Sequence, residues 1–166
     1  MSGIRIVDVA PEHLHEVLAL NAAAVPATSY LEPAELQRLV AMSQYTLVVL
    51  GDDGAVAGFC ITFLPGADYQ SLNYRWFAER YASFSYLDRI VVREDLRGHG
   101  LGAALYEELE QRIGGALPVL CCEVNIKPLN DGSLRFHQRI GFTEVGQQDT
   151  EGGTKRVSLL AKELGG

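Results

Sequence analysis

The hydrophobic and polar positions of this chain follow two repeats, one typical of strands and one typical of helices. Strict alternation or short apolar runs predict strands at 4–9, 45–50, 55–63, 86–92, 118–125, 143–148 and 155–160. Apolar spacings of three and four predict helices that begin near Pro11, Pro33, Leu101 and Asn130. Asp53-Gly54 lies between the second and third of these strands and is typical of a hairpin turn. The pattern therefore predicts a fold of the α/β (α+β) class.

The most informative stretch begins at the fourth predicted strand. Its β-branched run, 90–92, predicts a buried strand, and glycines then follow at alternate positions 98, 100 and 102. Leu101, Leu105 and Leu109 come next on one helical face. The first N–H groups of a helix have no intrahelical acceptor, and the helix dipole adds partial positive charge there. The stretch therefore predicts a phosphate site, because glycine lets a phosphate lie against the backbone.

Three kinds of glycine loop compete for this stretch. A Walker loop ends in Gly-Lys-Ser/Thr, which this sequence lacks, and a dinucleotide loop requires a glycine where Ala103 stands. The pattern Arg97-x-x-Gly100-x-Gly102, entered from a Val-rich strand, resembles the acyl-CoA signature of the GCN5-related N-acetyltransferase (GNAT) superfamily. An ordinary glycine turn before a helix is the structural alternative.

A second motif, later in the chain, points to the same family. Asn130-x-x-Ser133-x-x-Phe136-His137-x-x-x-Gly141 is similar to the family pattern Asn-x-x-Ala-x-x-Leu-Tyr-x-x-x-Gly. Asn130 or its neighbour is expected to cap the helix, and Gly141 to end it. The resemblance implies a central, twisted, mixed and mostly antiparallel sheet of six to seven strands with about four flanking helices. Strands 4 and 5 are expected to be parallel and splayed.

The resemblance also implies the co-substrate, acetyl-CoA, and the residues that hold it. The strand edge at Ile90, Val91 and Val92 is expected to pair with the pantetheine arm. The pyrophosphate is expected at Arg97, Gly98, His99, Gly100, Leu101, Gly102 and Ala103. Asn130, Ser133 and Phe136 are expected to contact the co-substrate from the other side, and no metal is implied.

The acid–base residues depart from the family pattern. His137 stands where the family commonly has a tyrosine that protonates the leaving thiolate, and a histidine is able to donate that proton. The alternative is a core histidine bonded to backbone. Asp88 and Glu123 are candidate bases because each interrupts an otherwise apolar strand. Against this, Arg89 and Arg93 are near enough in sequence for surface ion pairing with Asp88.

The acceptor side is less well marked. Residues 64–83 show no clear period and carry Tyr74 and Trp76, which suggests a functional loop beside the acceptor. The alternative is a short amphipathic helix packed over the core or against a dimer partner. Tyr86 shares a face of its strand with the candidate base at 88. Asn21, amid alanines near a helix end, is expected either to cap backbone or to face a cleft.

Composition narrows the function classes. The chain has 166 residues, enough for one core, and we expect a single acyl-CoA N-acyltransferase domain over 1–166. A net charge of −7 disfavours nucleic acid and anionic membranes as partners. Three cysteines without metal-ligand spacing, and no apolar leader, favour a reducing cytoplasmic setting. We expect an enzyme that acetylates an amine of a small molecule or peptide by direct attack, with a homodimer as one arrangement. The alternatives are a non-catalytic acyl-CoA-binding or sensing module and an adaptor domain.

Overall fold

A computed structural model describes residues 3–165 of the chain. Its strands are β1 (Arg5–Asp8), β2 (Tyr45–Leu50), β3 (Val56–Phe63), β4 (Ser85–Val92), β5 (Val119–Lys127), β6 (Thr143–Thr150) and β7 (Lys155–Glu163). Its α-helices are α1 (Leu14–Ala24), α2 (Pro33–Met42), α3 (Leu72–Ala78), α4 (Leu101–Ile113) and α5 (Asp131–Arg139).

The chain divides into two compact units. The first contains Met1–Phe63 and Arg89–Gly114, and the second contains Leu64–Asp88 and Gly115–Gly166. Strand β4 begins in the second unit and ends in the first. Each unit is described by itself below.

In the first unit, β1, β2 and β3 form an antiparallel set. Val48 of β2 pairs with Val7 on one side and with Phe59 on the other. Strands β2 and β3 read as continuous apolar runs because they are buried on both faces. The apolar stripe of α4 supplies Leu101, Leu105 and Leu109 to this core, each at most 2% exposed.

In the second unit, β4 and β5 are parallel, with Ser85 opposite Leu120 and Tyr86 opposite Cys121. Strand β7 pairs antiparallel with β5 and also with β6. The hairpin of β6 and β7 turns around residues 151–153, as its glycines predict.

Strand order follows β1-β2-β3-β4-β5-β7-β6. The predicted mixed sheet with parallel strands 4 and 5 is therefore confirmed. The described residues contain five α-helices rather than about four, and the additional one, α3, lies in the stretch that shows no clear period. The short helix, one of the two alternatives for that stretch, is present. The single domain over 1–166 stays a prediction. Within residues 3–165, the helices are too short or too polar to cross a bilayer.

Candidate active site

The glycine loop before α4 has the backbone conformation that the sequence predicts. Gly98 and Gly100 have φ angles of 83° and 79°, which favour glycine. Gly100 is the N-cap of α4, and no side chain caps the helix there. The first helical bond runs from the Ala104 N–H to the Gly100 carbonyl, at 3.0 Å. A Cβ built on Gly100 would have no atom within 4 Å, so the space above the helix start is open.

A cavity of about 360 Å³ lies in the first unit beside this loop. Three predicted residues line it, Val91 and Val92 from the end of β4 and Arg97 from the loop. Arg97 is exposed, so its positive charge is available to an anionic group. The end of β4 and Arg97, which precedes the glycines, therefore line one cavity. The other lining residues are Leu20, Ala23, Ala24, Arg93, Glu94 and Asp95.

Sequence reasoning missed the α1 side of this cavity. The cavity is lined on this side by Leu20, Ala23 and Ala24. The run of alanines near the helix end was a usable signal, because small side chains leave room beside a helix. It also missed the strand-to-loop corner, where Arg93 Nε lies 2.7 Å from Asp95 Oδ1. This exposed ion pair lowers the pKa of Asp95, chiefly through the hydrogen bond from Arg93.

Arg89 and Asn21 lie in one buried network of the first unit. Arg89 is only 6% exposed, so it is not a surface residue, and its pairing with Asp88 stays a prediction. Its Nη1 donates to Asn21 Oδ1 at 3.1 Å and to the Ser29 carbonyl at 3.0 Å, and its Nη2 donates to Ser29 Oγ at 3.1 Å. Asn21 is 1% exposed, and it also accepts from Thr28 Oγ1 at 3.0 Å and donates to the Ser29 carbonyl at 2.9 Å. Asn21 therefore lies in a buried network in which it bonds to the backbone at the Ser29 carbonyl, and a role in acceptor binding stays a prediction.

The second unit gathers the two candidate bases with two phenols. Tyr86 is fully buried and donates its hydroxyl proton to Glu123 Oε1 at 2.6 Å. Tyr69 donates to Asp88 Oδ1. Burial, followed by the nearby charges of Glu123 and Asp88, raises the pKa of Tyr86 well above its ordinary value. Tyr86 therefore stays protonated and remains a donor to Glu123. Both carboxylates are half-buried rather than sealed in the core.

Tyr74 and Trp76, expected near the acceptor, lie on α3. Tyr74 is 3% exposed, donates to the Leu64 carbonyl and accepts from the Ala67 N–H. Trp76 stacks with Arg80, whose Cζ lies 3.9 Å from a ring centroid. The ring also covers Gly146 of β6, where a Cβ would lie 2.5 Å from Trp76 Cζ2. In this unit both side chains hold α3 in place, and an acceptor role for them stays a prediction.

The second motif folds as its sequence predicts at the start of α5. The Asn130 side chain accepts from the Ser133 N–H, and Ser133 and Phe136 are half-buried. His137 is 4% exposed, and its Nδ1 lies 2.7 Å from the Ser133 carbonyl. A carbonyl only accepts, so Nδ1 carries the proton in this contact. Burial lowers the pKa of His137, and the bond to the Ser133 carbonyl opposes that shift in part.

The described residues, 3–165, contain no cluster of side chains suited to a metal ion. Among residues 3–165, the His, Cys, Asp and Glu side chains do not gather into a group of three or more suited to a metal ion. The cysteines Cys60, Cys121 and Cys122 are buried thiols.

Comparison with known proteins agrees with the two motifs. The model of the acetyltransferase (GNAT) family matches residues 14–142. A search of the curated proteins found no match. Among solved structures, Ard1 from Thermoplasma volcanium superposes with a TM-score of 0.80 at 16% identity, over 98% of this chain and 99% of that one. The ribosomal-protein-S18-alanine N-acetyltransferase from Escherichia coli gives 0.75 at 18% identity, over 99% and 96%. Arabidopsis thaliana NAA60, in complex with a bisubstrate analogue, gives 0.76 at 18% identity, over 97% and 98%.

Proposed function

The chain belongs to the acetyltransferase (GNAT) family, and from this premise we propose that it transfers an acetyl group from acetyl-CoA to the amine of a small molecule or peptide. Acetyl-CoA supplies an activated acyl group as a thioester. The amine nitrogen bonds to the carbonyl carbon, the C–S bond breaks, and the sulfur leaves with the electron pair and takes up a proton. Holding both reactants in one geometry supplies much of the acceleration.

One observation carries the proposal, the open start of α4 beside a cavity lined by the end of β4. The N–H groups of the first turn and the Arg97 side chain are suited to the pyrophosphate. The backbone of 90–92 is suited to the amide-bearing arm, as the sequence predicts. Leu20, Ala23 and Ala24 join this list from α1. The proposal also includes contacts to the co-substrate from Asn130, Ser133 and Phe136.

The proton steps are assigned to the second unit. Asp88 and Glu123 are the candidate bases, because each carboxylate is half-buried and accepts a hydrogen bond from the hydroxyl of a tyrosine. An α-amine with an ordinary pKa near 8 needs little help from a base, whereas a lysine amine near 10.4 needs more. His137 is a weak candidate for the acid, because its protonated nitrogen is engaged with the Ser133 carbonyl.

CoA binding by paired glycine variants tests the co-substrate site. Gly100→Ala places a Cβ over the start of α4, and we expect CoA affinity, measured by isothermal titration calorimetry, to fall at least about tenfold. Gly54→Ala is the matched control, because Gly54 also has a φ of 79° and no atom within 4 Å of a built Cβ. Both variants therefore carry the same backbone strain. CoA bound by Gly100→Ala as tightly as by Gly54→Ala would refute the site.

Thiol release separates the enzyme from a sensing module. The replacement of tyrosine by His137 favours the sensor as the second candidate, since it removes the usual proton donor. The panel of acceptors comprises peptides with a free N-terminal amine, peptides whose only amine is a lysine, and small amines. One of the structural neighbours is named for the acetylation of an alanine of a ribosomal protein, which is why peptides are included. CoA binding without thiol release over this panel would favour the sensor. A cytoplasmic location and a homodimer are part of the proposal, and the oligomeric state is read from light scattering.

A further inference from the structure

Tyr69 lies in the segment before α3, where sequence reasoning named no catalytic role. Its hydroxyl donates to Asp88 Oδ1 of β4, and its ring meets Tyr74 edge-on with centroids 5.8 Å apart. The segment is bound at two further points, because the Tyr74 hydroxyl donates to the Leu64 carbonyl and accepts from the Ala67 N–H. Tyr74 is itself packed edge-on against Tyr86 at 5.4 Å. The phenol that meets Asp88 is therefore held by a segment fastened to the core.

We infer that Tyr69 is a positioning residue that fixes the carboxylate of Asp88 as the base of the transfer, with Tyr74 locking the segment that presents it. This rests on the proposed function. Asp88 takes a proton from the attacking amine, the N–C bond forms as the C–S bond breaks, and the sulfur takes up a proton. The proton on Asp88 then passes to solvent, so no further reactant is required.

The neighbouring pair of Tyr86 and Glu123 gives the rival assignment. Glu123, Asp88 and Tyr69 all influence the charge state of Tyr86, so the two phenol–carboxylate pairs are neighbours in the second unit. Each carboxylate therefore has one phenol donor, and the two pairs are tested by matched variants. A hydrogen bond to a carboxylate favours its charged form, so its removal makes that carboxylate take up a proton at higher pH.

The test is the acidic limb of kcat/KM, measured by thiol release with the best acceptor of the panel. Tyr69→Phe is expected to move this limb upward, since loss of activity begins where the base becomes protonated. Tyr74→Phe keeps the ring and loses both hydroxyl bonds, so a smaller shift in the same direction is expected. Tyr86→Phe is expected to leave the limb in place. A limb moved by Tyr86→Phe and not by Tyr69→Phe would assign the base to Glu123, and a uniform loss at all pH values would make Tyr69 merely structural.

Two further measurements keep this outcome separate from that of the proposed function. CoA affinity of Tyr69→Phe is expected to equal that of the unmodified protein, whereas a wrong family site would show in the Gly100 and Gly54 comparison. The chemical shift of the Asp88 carboxyl carbon, measured by NMR at neutral pH, reports the hydrogen bond without turnover. This chemical shift is expected to change in Tyr69→Phe, and an unchanged value would overturn the inference.

Discussion

Replacing Arg89 with methionine is expected to destabilise the first unit strongly. Arg89 is buried on β4, and its guanidinium joins α1 to the segment after it through Asn21 and Ser29. Methionine keeps much of the aliphatic volume and removes every donor. The variant therefore isolates the polar network from the packing of the stem.

The size of the effect follows from which groups lose their partners. Hydrogen bonds to a charged group contribute about 1.5–3 kcal/mol each, and Arg89 donates to Asn21 Oδ1, to the Ser29 carbonyl and to Ser29 Oγ. The full sum is not reached, because Asn21 Oδ1 keeps Thr28 and the Ser29 carbonyl keeps the Asn21 amide. Removing a buried cation also recovers part of its desolvation cost. We expect a loss of about 2–4 kcal/mol, which lowers Tm by about 5–15 °C in a chain of this length.

The assay is chemical and thermal unfolding of Arg89→Met beside a matched exposed variant. Arg135→Met removes the pair with Asp131, whose side chains are 68% and 56% exposed, so we expect a change of about 0.5 kcal/mol or less. Because Asn21 lies next to Leu20, which lines the cavity, we also expect Arg89→Met to bind CoA more weakly. Arg89→Met and Arg135→Met with equal stability would refute the network as an energetic feature of the fold.

Three further outcomes follow from single contacts. Gly146→Ala is expected to cost about 1–3 kcal/mol, because its Cβ would lie 2.5 Å from the Trp76 ring; the single tryptophan makes its fluorescence a direct readout, and an unchanged spectrum would contradict the contact. Burial raises the pKa of Cys60 and of Cys121 to about 12, so at pH 8 both thiols are expected to react with a disulfide reagent only on unfolding, and rapid labelling of the native protein would contradict this. Asn130→Ala removes the cap of α5, with an expected loss of about 1 kcal/mol in denaturant melts, and no loss would mean that the cap is replaced by water.

Most elements of the fold could be predicted from local sequence patterns. The strand, glycine loop and helix of 86–113 are determined by near neighbours in sequence, since β-branched runs, φ-positive glycines and a leucine stripe each act within a few residues. The cap of α5 is equally local, because Asn130 reaches the Ser133 N–H. Such features are predictable, because the residues that cause them are only a few positions apart in sequence.

The candidate site depends on contacts between residues that are far apart in sequence, and local patterns do not reveal such contacts. Arg89 meets Asn21 and Ser29, which are 68 and 60 residues away, and a charged residue on a strand otherwise suggests an exposed position. Tyr69 and Asp88 are 19 residues apart, and Tyr69 lies in the stretch that shows no clear period. Helix α3 is ambiguous from the sequence for a related reason, since its apolar Leu72 is 50% exposed while Tyr74 and Phe77 are buried. Tertiary packing decided these positions.

His137 shows how the surroundings of a side chain bear on a role that a motif position implies, and its acid role stays a prediction. Its Nδ1 proton is directed at the Ser133 carbonyl, and a neutral imidazole carries only one ring proton. To donate from its other nitrogen the ring would have to be charged, yet burial lowers the pKa of His137 and makes the charged form rarer near neutral pH. The Tyr86 phenol is committed to Glu123. The Tyr69 phenol is likewise engaged, with Asp88. In the proposed transfer the proton for the leaving sulfur is therefore expected to come from solvent.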